Sequence, residues 1–310
     1  MPARTPVFAK TPAAKTLARS HVSLKNILYA TDFSRYSDAA LPFALSIARR
    51  YGSKIFAVHI VSLSPFANSS PTQAWQALVA QGVREAREAM ARVKGRWSQI
   101  PHENLLRKGE VWSELSKLIE EKGIDLVVCG THGRTGLSKI LMGSVAEQIY
   151  RHAPCPVLTI GPNVVGEPES LGDIHTILYA TDFSSESLAA VPYAVSLAQA
   201  NRARLYLFHV TETPVGPLAE RELAGSLCGL IPSDSELECA PKAFVDCGEP
   251  ARKITELAEE LKVDLIVLGP RRSSRLATLG HLPQSTAHSV VSKAICPVLT
   301  VRALLPRNGS

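Results

Sequence analysis

The string ILYATDFS occurs twice, at residues 27–34 and at 177–184. His59 in FAVHIV and His209 in LYLFHV keep the same offset of 150 residues. Further on, KGIDLVVCG (122–130) pairs with LKVDLIVLG (261–269), and CPVLTI (155–160) with CPVLTV (296–301). The order is collinear throughout, so the chain is a tandem duplication. Each half has to build its own core on one shared plan. A length of 310 residues suits two domains of about 100–150 residues each.

Each copy alternates short apolar runs with longer helical patterns. In the first, strands are expected near 26–31, 55–61, 104–108, 124–129 and 156–160, with helices over 36–51, 73–97, 112–122 and 144–152. The runs Asp125–Cys129 and Asp264–Leu268 are continuously apolar after the aspartate, as strands covered on both faces should be. Trp75, Leu78, Val79, Gly82, Ala86, Ala89, Met90, Val93 and Trp97 fall three or four apart and mark one helical face. Pro42 and Pro192 interrupt the first helix of each copy at equivalent places, where a kink is expected. This alternation predicts an α/β fold of two tandem, doubly wound, five-stranded and mainly parallel sheets with helices on both faces. The expected domains are 23–161 and 174–304, joined by a linker at 162–173 and preceded by a basic flexible tail at 1–22.

The net charge of +6 belongs to that tail. Residues 1–25 carry Arg4, Lys10, Lys15, Arg19 and Lys25 and no acid; taking these five from 34 basic residues leaves 29 against 28 acidic ones. A nucleic-acid binder concentrates positive charge on its folded surface, so nucleic acid is not an expected partner. No apolar run approaches the ~20 residues of a membrane-spanning helix, and no membrane association is expected. The tail lacks the apolar centre of a secretory signal, and Pro2, Pro6 and Pro12 oppose the amphipathic helix of a transit peptide. Cys129, Cys155 and Cys296 border apolar runs and read as buried free thiols, which suits a reducing cytoplasm. Cys228, Cys239 and Cys247 lack the close spacing of a metal site, so no metal ligands are expected.

In doubly wound sheets a ligand sits beyond the carboxyl ends of the strands, where strand order reverses. There the first copy reads GTHGRTGLSKILMGSV, residues 130–145. Gly130 and Gly133 permit positive φ and leave no Cβ between main-chain amides and an anion. Gly143 and Ser144 open a helix whose unpaired N–H groups and dipole favour a phosphate, and Ser144 can cap it or bind the same phosphate. The P-loop pattern fails because no lysine precedes the serine, and the dinucleotide pattern fails because TDFS follows the first strand. Spacing alone leaves the loop open between an anion site and a plain strand-to-helix turn.

Together, ILYATDFS, GTHGRTGLSKILMGSV and CPVL resemble the universal stress protein family, twice over between residues 25 and 302. The family's G-x-x-G-x9-G-[ST] pattern is met by Gly130, Gly133, Gly143 and Ser144. The resemblance implies a Rossmann-like, adenine-nucleotide alpha-hydrolase-like fold and an ATP-binding branch of the family, with ATP bound with or without Mg. It implies Ala30, Thr31 and Asp32 beside the nucleoside, Ile60 and Cys129 flanking the base, and Gly130, Gly133, Gly143, Ser144 and Val145 on ribose and phosphates. Asp32 also suits a turn cap. His59 reads as packed or hydrogen-bonded inside the sheet, and His132 as a loop residue without a visible partner for general-base work. Arg134 and Lys139 read as exposed charges. No catalytic residue is expected, and at most slow ATP hydrolysis.

The second copy reads GPRRSSRLATLGHLPQSTA at 269–287. Aligning Ser285 with Ser144 and Gly269 with Gly130 puts Arg272 where Gly133 was and Gln284, after Pro283, where Gly143 was. A side chain at positive φ costs about 1–2 kcal/mol, so this phosphate cradle is broken. Asp182 and Val210 persist, and Arg271, Arg272 and Arg275 read as a solvated basic loop. Eleven fewer residues between strands two and three imply a shorter counterpart of helix 73–97. The expectation is one ATP site per chain, in a stress-response regulator that acts by conformational change and partner binding. Slow hydrolysis and a nucleotide-independent scaffold are the alternatives. The resemblance further implies edge pairing of Val157–Ile160 with Val298–Val301 within a chain, and leaves a homodimer open.

Overall fold

A computed structural model of the chain describes residues 22–62, 73–93, 97, 99–132, 142–164, 172–270 and 285–302. The tail 1–21, linker residues 165–171, Gly133, Arg134, Lys139, Arg271, Arg272, Arg275, Pro283 and Gln284 lie outside these, as do the side chains of Trp75, Leu78 and Val93. Two compact units form, one built on Ser23–Pro162 and the other on Asp173–Ser310.

The first unit runs β1 (Asn26–Ala30), α1 (Arg35–Tyr51), β2 (Lys54–Ser62), α2 (Gln73–Val93), β3 (His102–Gly109), α3 (Val111–Glu121), β4 (Leu126–Gly130), α4 (Ser144–His152) and β5 (Val157–Ile160). Its strand order is β3-β2-β1-β4-β5, parallel at every pairing. The second unit runs β6 (Thr176–Ala180), α5 (Ser185–Leu188), α6 (Val191–Asn201), β7 (Arg204–Thr211), α7 (Pro217–Cys228), β8 (Lys242–Cys247), α8 (Pro250–Glu260), β9 (Leu265–Leu268), α9 (Thr286–Lys293) and β10 (Val298–Thr300). Its order is β10-β9-β6-β7-β8, again parallel. The doubly wound sheets expected from sequence are what fold.

Right-handed crossovers dictate the layers. In the first unit the chain steps from β1 to β2 to β3, which puts α1 and α2 on one face. It then returns past β1 to β4 and β5, which puts α3 and α4 on the other. Alternation along β1 follows suit. The Tyr29 hydroxyl donates to the Ser37 carbonyl in α1 at 2.8 Å, while Leu28 joins Val58, Leu115, Cys129 and Ile149 in the core beneath α3 and α4. Burying such a side chain contributes about 1.5–3 kcal/mol, so the alternation fixes which face each helix covers.

The aspartate that opens each buried strand has a mechanical role. Asp125 Oδ2 accepts from the amides of Lys25 and Asn26 at 2.9 Å each, and Asp264 Oδ2 does the same for His175 and Thr176. It satisfies the amides that enter the central strand.

Two local expectations change. Helix 73–97 ends at Val93, and the fully buried Trp97 follows it, stacked on His102 at 5.6 Å and edge-on to Tyr29 at 6.0 Å. Val83 completes the buried stripe with Ala86, Ala89 and Met90. The equivalent prolines differ in setting: α1 is assigned as one helix through Pro42, whereas the second copy breaks, ending α5 at Leu188 and starting α6 with Pro192 in its first turn. There the missing N–H has no intrahelical partner to lose. The shortening of the second copy falls as expected, with α7 at 12 residues against 21 in α2.

Candidate functional site

Strand order in the first unit reverses between β1 and β4, and a cavity of about 230 Å³ opens there. Its walls are the carboxyl ends of β1, β2 and β4 and the first turns of α1, α3 and α4. Ala30, Thr31, Asp32, Ile60, Cys129, Gly130, Gly143, Ser144 and Val145 all line it. Gly133 lies outside the described residues. Sequence reasoning missed Val111, Leu115 and Ile149, which form the apolar depth of the cavity. Val111 and Leu115 stand four apart on α3, one turn of one helical face, and Val111 fell just outside the helix expected over 112–122.

The turn after β1 is held from several sides. Thr31 Oγ1 accepts the Phe33 amide and Asp32 Oδ1 accepts the Ser34 amide, both at 3.0 Å. Asp32 thus caps the turn and borders the cavity at once. Phe33 takes φ 60°, a left-handed conformation uncommon for a side chain of this size. His59, buried as expected, brings Nδ1 to 2.7 Å from the Thr31 carbonyl.

Gly130 corrects the reading of the glycines. It is not among the glycines with positive φ; a Cβ there would stand 2.7 Å from the Tyr36 carbonyl oxygen and 3.1 Å from the Ser37 amide. The glycine is there so that β4 can run close under α1. Gly269 meets Glu186 and Ser187 in the same way, which is why it persists in the copy that loses the others.

Gly143 and Ser144 open α4 as expected. Gly143 is the N-cap of α4, with φ −62° and ψ 149°, and as a glycine it brings no capping side chain of its own. Its own amide donates to the Thr131 carbonyl at 2.8 Å. Ser144 is the first helical residue, so the N-cap position belongs to Gly143. The other helix ends at the cavity are occupied from within. Ser34 caps α1 through the Ser37 amide, and Glu110 caps α3 through the amides of Trp112 and Ser113. In the second unit Glu249 caps α8 and Ser285 caps α9 through the His288 amide. The helix therefore starts one residue later there than alignment with Ser144 predicts.

The remaining groups are quiet chemically. Burial pushes the Cys129 thiol up to about 12, so it presents a neutral, apolar surface. The Thr131 hydroxyl stands 2.9 Å from His132 Nδ1 and 3.3 Å from the Ile160 carbonyl oxygen. The neighbour of that nitrogen is a hydroxyl, not the carboxylate that would orient a general base.

A tandem of doubly wound α/β domains, with a crevice at the switch point of the first, is the class of protein defined here. The chain belongs to the Universal stress protein family, whose model matches residues 23–161 and again 173–302. Universal stress protein MJ0531 of Methanocaldococcus jannaschii is 35% identical over 139 residues, covering 44% of this chain and 81% of that protein. Universal stress protein MJ0577 of the same organism is 25% identical over 155 residues, covering 45% and 96%. A universal stress protein structure from Archaeoglobus fulgidus superposes with a TM-score of 0.70 over 91% of this chain and 97% of its own, at 21% identity. That likeness concerns the fold.

Proposed function

We propose that the first domain binds ATP, with or without Mg, at one site per chain. The protein then acts as a nucleotide-dependent regulator in the stress response, through conformational change and partner binding. The observation that carries this reading is the contrast among helix ends. At the cavity α1 and α3 are capped by the side chains of their own N-cap residues, whereas the N-cap of α4 is a glycine, which has no side chain to offer. An anionic end is best accommodated at that first turn, where amides and dipole favour it. The apolar depth formed by Val111, Leu115, Cys129 and Ile149 suits a base. The residues present thus fit a nucleotide. In the second domain the hydroxyl of Ser285 already takes the amide that a phosphate would need.

A micromolar dissociation constant corresponds to about 8 kcal/mol, enough to shift a two-state surface if only one state binds. The reading extends to the sheet edges. β5 and β10 each lie at one edge of their own unit's sheet, bonded to β4 and β9. Pairing Val157–Ile160 with Val298–Val301 within a chain would cover both edges. The buried thiols of Cys129, Cys155 and Cys296 suit the cytoplasm.

The test is direct. Freshly purified protein is denatured and its supernatant chromatographed, and calorimetry then titrates nucleotide-free protein with ATP. Released ATP and a stoichiometry near one per chain are expected. Two equivalent sites, or none, would overturn the reading, and ADP with steady phosphate release would favour slow hydrolysis.

A further inference from the structure

We propose that His59 is a positioning residue for the nucleoside end of the ligand, an inference that rests on the ATP reading above. The chain leaves β1 at Thr31, whose amide still belongs to the sheet, donating to the Val58 carbonyl at 2.9 Å. Two residues later Phe33 has φ 60°. A left-handed residue with a bulky side chain persists only where its surroundings over-determine it.

His59 supplies two of those constraints from the neighbouring strand. A carbonyl can only accept, so the 2.7 Å contact between Nδ1 and the Thr31 oxygen makes Nδ1 the protonated nitrogen. The imidazole also packs against the Phe33 ring, with centroids 4.6 Å apart. One side chain thus grips the turn at its first peptide and at its strained residue. Between these two points lies Asp32, on the cavity wall. His59 itself lines the same cavity.

The second copy repeats the device. His209 Nδ1 donates to the Thr181 carbonyl at 2.9 Å, its ring lies 4.8 Å from Phe183, and Phe183 has φ 61°. There the self-capped α9 leaves the turn no triphosphate to serve. The pair is therefore an internal control: one mechanical lock, with a ligand consequence in one domain only.

The experiment compares His59→Leu, His59→Asn and His209→Leu in the full chain, titrated with ATP, adenosine and inorganic tripolyphosphate. Asparagine can place an N–H near the position of Nδ1, and leucine cannot. His59→Leu should weaken ATP and adenosine together by about tenfold, which is about 1.4 kcal/mol, and move tripolyphosphate less than twofold. His59→Asn should recover most of that loss. His209→Leu should lower the melting temperature and leave ATP affinity unchanged. Unchanged nucleoside affinity in His59→Leu overturns the inference, as does an asparagine variant no better than leucine or an equal loss from His209→Leu. A wild-type chain that ignores ATP would overturn the nucleotide reading itself, and this inference with it.

Discussion

Gly130 runs so close under Tyr36 that a Cβ on it would stand 2.7 Å from the Tyr36 carbonyl oxygen. The same contact recurs, closer still, between Gly269 and the Glu186 carbonyl oxygen. Both obstacles are main-chain atoms of a helix, which cannot rotate aside as a side chain would. Forcing a methyl in means shifting the helix from the sheet, and such overpacking costs about 1–3 kcal/mol. Gly130→Ala and Gly269→Ala should each lower the urea midpoint of their own domain. The loss at Gly269 should appear with or without ATP.

Gly143→Ser separates stability from binding. Its φ of −62° and ψ of 149° suit serine, whose hydroxyl would cap α4 as Ser285 caps α9. A good N-cap is worth about 0.5–2 kcal/mol relative to alanine and only a few tenths relative to glycine. The ligand-free variant should melt at or slightly above wild type, while ATP affinity falls at least tenfold. Calorimetry and thermal melts on one sample read both.

Ser285→Ala is the converse. It removes the cap from α9 and should cost about 1 kcal/mol in the second domain, measurable in the urea transition. ATP binding at the first domain should not change.

The cysteines should react in order of burial. Burial pushes Cys129, Cys155 and Cys296 up to about 12, leaving almost no thiolate at pH 8, whereas Cys239 is exposed. Native protein treated with a disulfide reagent should label Cys239 first. The three buried thiols should react only on unfolding, as read by mass spectrometry against time.

Glu103 gives a pH signature. Hydrogen bonds from Lys54 and Lys122, at 2.8 and 2.9 Å, lower its pKa below the ordinary 4.5. A carboxylate with a depressed folded pKa adds stability above its unfolded value and loses it as pH falls through the folded one. Wild type should therefore exceed Glu103→Gln at pH 7, with the gap closing below pH 4.5. The gap should be small, because exposed ion pairs are screened by water.

Much of the fold was legible because its causes are local or periodic. The collinear repeat, the apolar strands after Asp125 and Asp264, and the spacing along 73–93 are written in neighbouring residues. Most of the cavity walls were named through the family resemblance, whose motifs fall at the strand ends that line the cavity. Val111, Leu115 and Ile149 were not legible as lining, since one helical stripe serves core and cavity alike. The role of Gly130 was misread for a related reason: a glycine looks the same in sequence whether it frees φ or makes room for a helix.

The sequence by itself determined the two domains' shared strand–helix plan and the loss of the glycine pattern in the second loop, since propensity, periodicity and motif spacing act along the chain. Only tertiary structure decided that Gly130 answers to Tyr36, that His59 holds Thr31, and that Asp125 takes up the amides of Lys25 and Asn26. Those partners are far away in sequence or hidden in a turn's geometry, and contact between them exists only once the sheet has brought the strand ends together.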